Sequence, residues 1–252
     1  MLWNREPKIP VIMPFLLAML LITGVSGAYG VLQARSAPEV HGECISYETG
    51  LVSVDVRIPV ITGCDNSGVE DELNEGWRAK LVGLIDDVTS QAEELFDEYG
   101  EEMGHWFPFQ AVSDFRVAYL DEGLVSIPIL TYSFTGGAHG MTFLESTNID
   151  LITGKLLNLQ DLFLPGYDYM EVIRAMVVRQ MEADPSPYFA ESLTEVTIAP
   201  DHSYYLTDQG IVICFGLYEI APYSSGIQEF LIPFTEVWEG LQPTIQGISA
   251  QR

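Results

Sequence analysis

The amino-acid sequence predicts an α+β fold in which antiparallel or mixed sheets pack against two long amphipathic helices. Two segments, 69–95 and 170–181, carry apolar residues at intervals of three and four, which is the spacing of a buried helical stripe. Much of the remaining sequence alternates apolar and β-branched residues with polar ones, which is typical of strands. Because the predicted strands follow one another in groups, an α+β fold is favoured over regular βαβ alternation.

Each predicted helix has its own start and stop signals. Ser67 and Glu70 have the spacing of a capping box before the first helix, and Gly100 is a typical helix stop. Asp168 precedes the second helix, which is expected to end before Pro185. The apolar stripes consist of Val69, Leu73, Trp77, Leu81, Leu84, Ile85, Val88 and Leu95 in the first helix and of Met170, Ile173, Met176, Val177 and Met181 in the second.

The strands are predicted in three groups. Residues 44–63 have the pattern of a hairpin, with a turn in the middle. Residues 109–120, 124–135 and 141–151 follow the first helix and predict a meander of three strands. Residues 203–234 contain two or three further strands joined by turns, and a short helix is expected after them.

The charge balance excludes one class of partner. The chain has 252 residues, of which 36 are acidic and 11 are basic, so its formal net charge is -25. Such a charge repels a phosphate backbone, and we therefore expect no nucleic-acid partner. A cationic partner, a divalent cation or solubility alone would each be compatible with this charge. A solvated acidic surface is the simplest of these interpretations.

The N-terminal segment has the pattern of a membrane anchor. Arg5 and Lys8 precede an uncharged and largely apolar run over 9–33, which is long enough to cross a hydrocarbon core of about 30 Å. We expect residues 1–36 to form a single-pass anchor in the cell membrane, with the remaining residues outside the cytoplasm. The small residues before and at Ala28 make a cleaved signal peptide, and hence a secreted protein, the alternative.

The exported part is long enough for one large domain or two small ones. We predict two α+β subdomains, over residues 37–131 and 132–252. The sequence contains no nucleophile elbow, no P-loop and no C-x-x-C pair. We therefore predict that the protein is not an enzyme, needs no cofactor and binds no metal ion.

The stretch FTGGAHG, residues 134–140, lies between two predicted strands. Its glycines favour a structural turn, because glycine adopts the positive φ that a close connection needs. The alternative is a recognition site in which the turn presents His139 beside tyrosines, which are common in interfaces. The candidate ligand-binding residues are Tyr132, Gly136, Gly137, His139, Tyr218 and Tyr223.

Cys44 and Cys64 are candidates for a disulfide, because both lie near ends of predicted strands in an extracytoplasmic segment. The hairpin geometry argues against the bridge, since Cys44 would pair near Asp55 and Cys64 would have to fold back towards it. Both outcomes stay open at this point. Cys214 lies in the predicted strand GIVICF and is expected to be a buried thiol.

Several strings resemble a known group of domains. These are RIPVITG and the acidic helix with Asn74 that follows it, then YSFTGGAHG, DLITGKLLNLQDLF, YYLTDQGIVICF and YEIAPYSSGIQEFLIPF. They are similar to paired extracytoplasmic domains of unknown function. Such domains form the outer part of the anti-sigma-V factor RsiV and the non-catalytic region of some peptidoglycan deacetylases of Gram-positive bacteria. The resemblance implies an exported α+β module at the cell envelope, and in RsiV that module is a receptor for lysozyme.

Two departures limit what the resemblance implies. Only about ten residues precede the apolar run, so we do not expect the chain to hold a sigma factor in the cytoplasm. The deacetylases carry a catalytic domain after the module, and a metal-dependent deacetylase needs several ligands. The histidines of this chain are not at helical metal-binding spacing from one another, and they are His41, His105, His139 and His202. Deacetylase activity is therefore not expected.

Two functional hypotheses from different classes follow. The first is a membrane-anchored binding or sensing module at the bacterial cell envelope. Its partner would be a cationic envelope protein such as lysozyme, or peptidoglycan. The second is a cell-wall-modifying hydrolase that uses His139 with a nearby carboxylate as acid and base. The export signal, the resemblance and the missing catalytic motifs favour the first.

Overall fold

The computed structural model of the protein describes residues 37–100, 102, 104 and 108–249, which form two sheets and five α-helices. The predicted anchor, residues 1–36, and His105 lie outside the described residues. Among the described helices, none combines the length and the apolar composition that crossing a bilayer requires.

The first sheet contains six strands and is mixed. Its strands are β1 (Glu39–Glu48), β2 (Val52–Thr62), β3 (Phe109–Phe115), β4 (Tyr119–Leu120), β5 (Leu124–Phe134) and β6 (Met141–Asp150). The spatial order is β1-β2-β3-β5, with β6 and the short β4 also paired to β5. Strands β2 and β3 are parallel because a helix connects them, whereas all other pairs are antiparallel. The predicted hairpin and the predicted meander are both present.

Helix α1 (Ser67–Tyr99) has 33 residues and packs along one face of this sheet. Its N-cap is Asn66, whose side chain accepts hydrogen bonds from Gly68 N and Val69 N, so the cap lies one residue before the predicted one. The helix ends at Gly100, as predicted. The buried stripe consists of Val69, Leu73, Trp77, Leu81, Ile85, Val88 and Ala92.

The prediction of two long helices is wrong for the second one. Helix α2 (Tyr169–Ala183) has 15 residues, less than half the length of α1. It begins at the predicted cap Asp168 and buries the predicted face, apart from the exposed Met170. Pro185 follows its C-cap and disfavours helical backbone in the residue before it, which limits the helix to about four turns.

The second sheet consists of three antiparallel strands, β7 (Tyr204–Leu206), β8 (Gly210–Phe215) and β9 (Gln228–Pro233), in that order. Helix α2 contacts β9, and three short helices complete this region. These are α3 (Ser192–Glu195), α4 (Phe234–Val237) and α5 (Pro243–Ser249). The fold class is therefore α+β, as predicted, with one mixed and one antiparallel sheet.

The described residues form two large hydrophobic cores. One core lies between α1 and the first sheet, and its last residue in the sequence is Leu151. The other core surrounds the second sheet and α2, and apart from Leu124 its buried residues come from Leu159 onwards. The subdomain boundary predicted between residues 131 and 132 falls inside β5, which contributes to both cores through Leu124 and Ile127. The division into two subdomains stays a prediction.

Polar side chains replace a strand partner along the end of β2. Strand β3 pairs with β2 only from Val52 to Val56, so the edge beyond Val56 has no backbone partner in β3. The Ser113 hydroxyl bonds both Arg57 N and Arg57 O at 3.1 Å. The Asn74 amide accepts from Ile61 N at 2.8 Å and donates to Ile61 O at 2.9 Å. Asn74 thereby fastens α1 to the sheet and satisfies buried backbone groups.

A buried polar network joins the two sheets. Ser126 on β5 donates its hydroxyl hydrogen to Asn148 Oδ1 on β6 at 2.6 Å, and both residues are buried. Asn148 Nδ2 donates to Tyr204 O at 2.9 Å, and Leu206 N donates to Ser126 Oγ at 2.8 Å. Two side chains of the first sheet therefore satisfy two backbone groups of β7.

Of the two outcomes that the sequence left open for Cys44 and Cys64, the structure has the unpaired one, with both thiols free. The register of the hairpin places Cys44 opposite Arg57, whereas Cys64 lies beyond the end of β2 and donates its backbone N–H to Glu70. Cys214 is buried, as predicted, and its burial raises the pKa of the thiol.

We predict that Ser126→Ala and Asn148→Ala each lower the free energy of unfolding by about 1–3 kcal/mol, because each leaves a buried backbone group of β7 unsatisfied. The double variant should lose less than the sum of the single losses, since the two side chains share one hydrogen bond. Chemical denaturation measures all three, with Ser90→Ala on the exposed face of α1 as the control. Strictly additive losses would show that the two residues do not act as a unit.

Candidate functional site

The loop between β5 and β6 is a tight turn that needs glycine. Gly136 and Gly137 have φ of 93° and 90°, a conformation that residues with a Cβ rarely adopt. Gly140 is required for a different reason. A Cβ at this position would collide with the Tyr132 ring and with the Ser133 carbonyl oxygen. The glycines of FTGGAHG therefore have structural roles, whatever else the loop does.

The same loop places His139 in contact with two tyrosines that lie about 80 residues later in the sequence. The imidazole stacks on the Tyr223 ring with centroids 4.0 Å apart, and its Nε2 lies 3.4 Å from the Tyr218 hydroxyl. The rings of Tyr218 and Tyr223 are 5.8 Å apart. We call Tyr132, His139, Tyr218 and Tyr223 the tyrosine-histidine patch. Of the six predicted site residues, His139, Tyr218 and Tyr223 contact one another, Tyr132 lies beside Gly140, and Gly136 and Gly137 belong to the same loop. Their role in ligand binding stays a prediction.

Hydrogen bonds to one carbonyl hold the patch together. Gly140 O accepts a hydrogen bond from the Tyr223 hydroxyl at 2.9 Å and lies 3.0 Å from His139 Nδ1. A carbonyl oxygen can only accept, so Nδ1 carries the proton in this arrangement. Nε2 is then the acceptor and faces the Tyr218 hydroxyl. His139 is therefore oriented by both of its ring nitrogens.

Tyr218 combines backbone strain with exposure. Its φ is 65°, and among the described non-glycine residues it is the one with positive φ. This conformation costs an L-residue about 1–2 kcal/mol. The residue nevertheless exposes 50% of its surface, so burial of its own ring does not explain the strain. Residues with strained backbone cluster at functional sites, so Tyr218 is a candidate for such a site.

A cavity of about 380 Å³ adjoins the patch at Tyr218. The sequence did not predict this cavity, because its lining comes from two separate segments, 189–197 and 215–220, that share no periodic pattern. Its aromatic and acidic lining residues are Phe189, Phe215, Tyr218, Glu191, Glu195 and Glu219. The excess of carboxylates in the composition was the only available signal, and it did not indicate a position.

A second cavity, of about 250 Å³, lies between β6 and the segment before β7. Two of its lining residues, Ser146 and His202, have a buried polar atom, Oγ and Nε2 respectively, without a hydrogen-bond partner among the described residues. Burial lowers the pKa of His202, against smaller opposing effects of Glu219, the Cys214 backbone and Asp201. His202 is therefore neutral at neutral pH.

The geometry offers no metal centre within the described ranges. His41 lies in β1, His139 in the β5–β6 loop, and His202 before β7. No group of three or more His, Cys, Asp or Glu side chains in this part of the chain is arranged to hold a metal ion.

The lowered pKa of His202 predicts a pH dependence of stability. Between its folded pKa and the ordinary value of 6.5, the unfolded chain binds a proton that the folded chain does not. The contribution of neutral His202 is therefore complete above pH 6.5 and is lost as the pH falls towards the folded pKa. We expect the difference in unfolding free energy between wild type and His202→Gln to change in this window, measured by urea denaturation at a series of pH values. A difference that is constant with pH would contradict the assignment.

Family comparisons divide the chain into two matched regions. Residues 45–142 match the family described as "Deacetylase PdaC", and residues 160–235 match "Protein of unknown function (DUF3298)". The interval between these matches contains the change from one hydrophobic core to the other.

Three curated proteins show the relationship. The chain is 28% identical to the anti-sigma-V factor RsiV of Bacillus subtilis over 203 residues, which are 75% of this chain and 65% of RsiV. It is 22% identical to the peptidoglycan-N-acetylmuramic acid deacetylase PdaC of the same organism over 123 residues, 47% of this chain and 26% of PdaC. It is 26% identical to the esterase Rv3036c of Mycobacterium tuberculosis over 110 residues, 43% of this chain and 48% of the esterase. The chain thus spans less than two thirds of each relative.

Two crystal structures share the fold. A DUF3298-family protein from Bacteroides fragilis has a TM-score of 0.64 at 21% identity, covering 85% of this chain and 98% of that one. A DUF3298-family protein from Pseudomonas aeruginosa has a TM-score of 0.56 at 22% identity, covering 82% and 95%. With the sequence matches, these structures confirm the resemblance. A PdaC-like region is thus followed by a DUF3298-like region, and the chain is homologous to RsiV and PdaC.

Proposed function

We propose that the protein is an extracytoplasmic binding module of the bacterial cell envelope and that its ligand is a strongly basic protein of the lysozyme type. The observation that carries the proposal is the tyrosine-histidine patch. Its residues come from segments about 80 positions apart, and the exposed Tyr218 is held in a strained conformation within it. A surface with aromatic rings that are oriented in advance binds a partner at a low cost in side-chain entropy.

The charge of the chain supports a basic partner. A net charge of -25 attracts a cationic protein over distances longer than a direct contact. This attraction raises the association rate but does not by itself select one basic protein from another. Selectivity would have to come from short-range contacts, which the patch can offer. Peptidoglycan is the other ligand compatible with an envelope location, but the charge does not favour it.

The homology to RsiV supports the cellular location. RsiV is an anti-sigma factor. The resemblance implies for this chain the lysozyme-receptor role that the outer module has in RsiV. We propose that the described residues lie outside the cytoplasm and that residues 1–36 anchor them in the membrane, or are cleaved if they form a signal peptide. Control of a sigma factor is not part of the proposal.

A second candidate is a hydrolase that uses His139 as acid and base. The match to the esterase Rv3036c is the observation that favours it. The neighbours of the two ring nitrogens weigh against it, because they are the Gly140 carbonyl and the Tyr218 hydroxyl and not a carboxylate. Ester or wall hydrolysis that disappears in His139→Ala would make this the better assignment.

The first test concerns location. A reporter enzyme that is active only outside the cytoplasm, fused after Arg252, should be active in cells, because basic residues precede the apolar run. The same reporter fused to residues 37–252 without the N-terminal segment is the control and should be inactive. A second reporter, active only in the cytoplasm, is fused in the same two ways. Equal activity of this reporter with and without the N-terminal segment would overturn the proposed location.

The second test separates attraction by charge from contacts in the patch. We expect the association rate of the purified protein with lysozyme to fall by about tenfold or more as salt rises from about 0.05 to 0.5 M, because screening shortens the range of the attraction. His139→Ala and Tyr223→Ala should raise the dissociation rate by about tenfold or more and leave the salt dependence of association unchanged. Surface-binding kinetics measure both rates.

Two controls accompany this measurement. Tyr47→Ala removes another exposed tyrosine, on β1, and should leave the dissociation rate unchanged. An unrelated protein of equal basic charge should bind more weakly than lysozyme. Equal affinity for the two basic proteins, or none for either, would contradict the proposed function.

A further inference from the structure

The cavity beside Tyr218 has two walls that are fastened to each other. One wall is the segment around α3, residues 189–197, and the other is the segment 215–220, which begins with the last residue of β8. Phe189 N donates a hydrogen bond to Ile220 O at 3.0 Å and ties the walls together. The volume of about 380 Å³ lies within the range of sites that hold small organic groups, about 300–1,000 Å³. The cavity is therefore a defined feature of the fold.

Three carboxylates surround this cavity. Glu191, Glu195 and Glu219 are all exposed, and none of them forms an ion pair with another described residue. Glu191 and Glu195 are four positions apart at one helical turn, so their charges repel each other. Glu219 is held in place because its Oε2 accepts a hydrogen bond from Gly216 N at 2.8 Å. None of the described lining residues is basic, so a bound cation would relieve this repulsion.

The rest of the lining is apolar and aromatic. Phe215, Val196 and Ile220 are buried, and Phe189 and Tyr218 carry partly exposed rings. Such a surface does not suit Ca²⁺, which requires six or more oxygen ligands, or an ammonium group, which is strongly hydrated. A guanidinium group is planar and weakly hydrated, stacks on aromatic rings and forms paired hydrogen bonds with carboxylates.

We infer that this cavity is a binding site for a guanidinium group, namely an arginine side chain of the basic partner. The guanidinium preference is inferred from the cavity alone. That the guanidinium belongs to a basic partner protein rests on the proposed function. Tyr218 belongs both to the cavity and to the tyrosine-histidine patch, so one partner surface can occupy both. The site would select a basic protein with an arginine at the correct position over one that is merely cationic.

The decisive experiment uses a small probe and no partner protein. Nα-acetyl-arginine amide is titrated into the purified protein and followed by NMR, with the neutral isostere Nα-acetyl-citrulline amide as the matched ligand. We expect millimolar binding of the arginine compound, with resonances of Tyr218 and Phe189 shifting, and affinity for the citrulline compound lower by about tenfold or more. The lysine compound should also bind more weakly. Equal binding of arginine and citrulline compounds, or binding of neither, overturns the inference.

Variants of the cavity carboxylates test whether the arginine compound binds in the cavity. Glu191→Gln and Glu195→Gln should each weaken binding of the arginine compound by about two- to fivefold, and the double variant should weaken it by about tenfold. Glu93→Gln removes one exposed carboxylate from α1, far along the chain, and should have no effect. An equal effect of all three single variants would mean that the probe responds only to net charge, and the assignment to the cavity would then be wrong.

The result is independent of the lysozyme measurement. Failure of the arginine titration with intact lysozyme binding would remove the cavity from the interface and leave the proposed function in place. Arginine binding without lysozyme binding would leave the cavity as a guanidinium site and remove the proposed partner. If both hold, the double variant Glu191→Gln/Glu195→Gln should raise the dissociation rate of lysozyme by about tenfold, and Glu93→Gln should leave it unchanged.

Discussion

The hydrogen bond between Ser126 and Asn148 is the central contact of a buried polar network that joins the two sheets. Each side chain also bonds one backbone group of β7, so breaking the pair leaves several buried polar groups without partners. Strands β5 and β6 carry the loop with His139, and β7 leads through β8 to the segment with Tyr218 and Tyr223. This buried network therefore contributes to bringing the two halves of the tyrosine-histidine patch together.

Polar side chains also complete the first sheet. Strand β2 extends beyond its parallel partner β3, and the amide of Asn74 and the hydroxyl of Ser113 bond the backbone groups that are left over. Trp77 adds a hydrogen bond from α1 to Thr147 on β6 at 2.9 Å. The helix is thus attached to the sheet by hydrogen bonds at specific residues as well as by its apolar stripe. These hydrogen bonds fix the position of the helix along the sheet.

In the proposed function, the patch and the adjoining cavity would combine two kinds of recognition. The patch provides aromatic surface whose geometry is set by the Gly140 carbonyl, and the cavity provides negative charge beside aromatic rings. Long-range attraction from the acidic chain and short-range selection by these groups act at different stages of association. The long-range attraction would draw in a basic protein, and the short-range contacts would retain it. This is the behaviour expected of a receptor that must discriminate against other cationic molecules.

The sequence by itself determined the fold class, the buried stripe of α1, the hairpin and the meander, because periodicity and turn residues report on local structure. It misjudged the length of α2 and left the pairing of Cys44 with Cys64 open, which the hairpin register then decided against. Only the tertiary structure placed Glu191, Glu195 and Glu219 around one cavity. Their segments have no shared period, and their proximity results from the packing of two walls that meet through Phe189 and Ile220, a contact that no local pattern encodes.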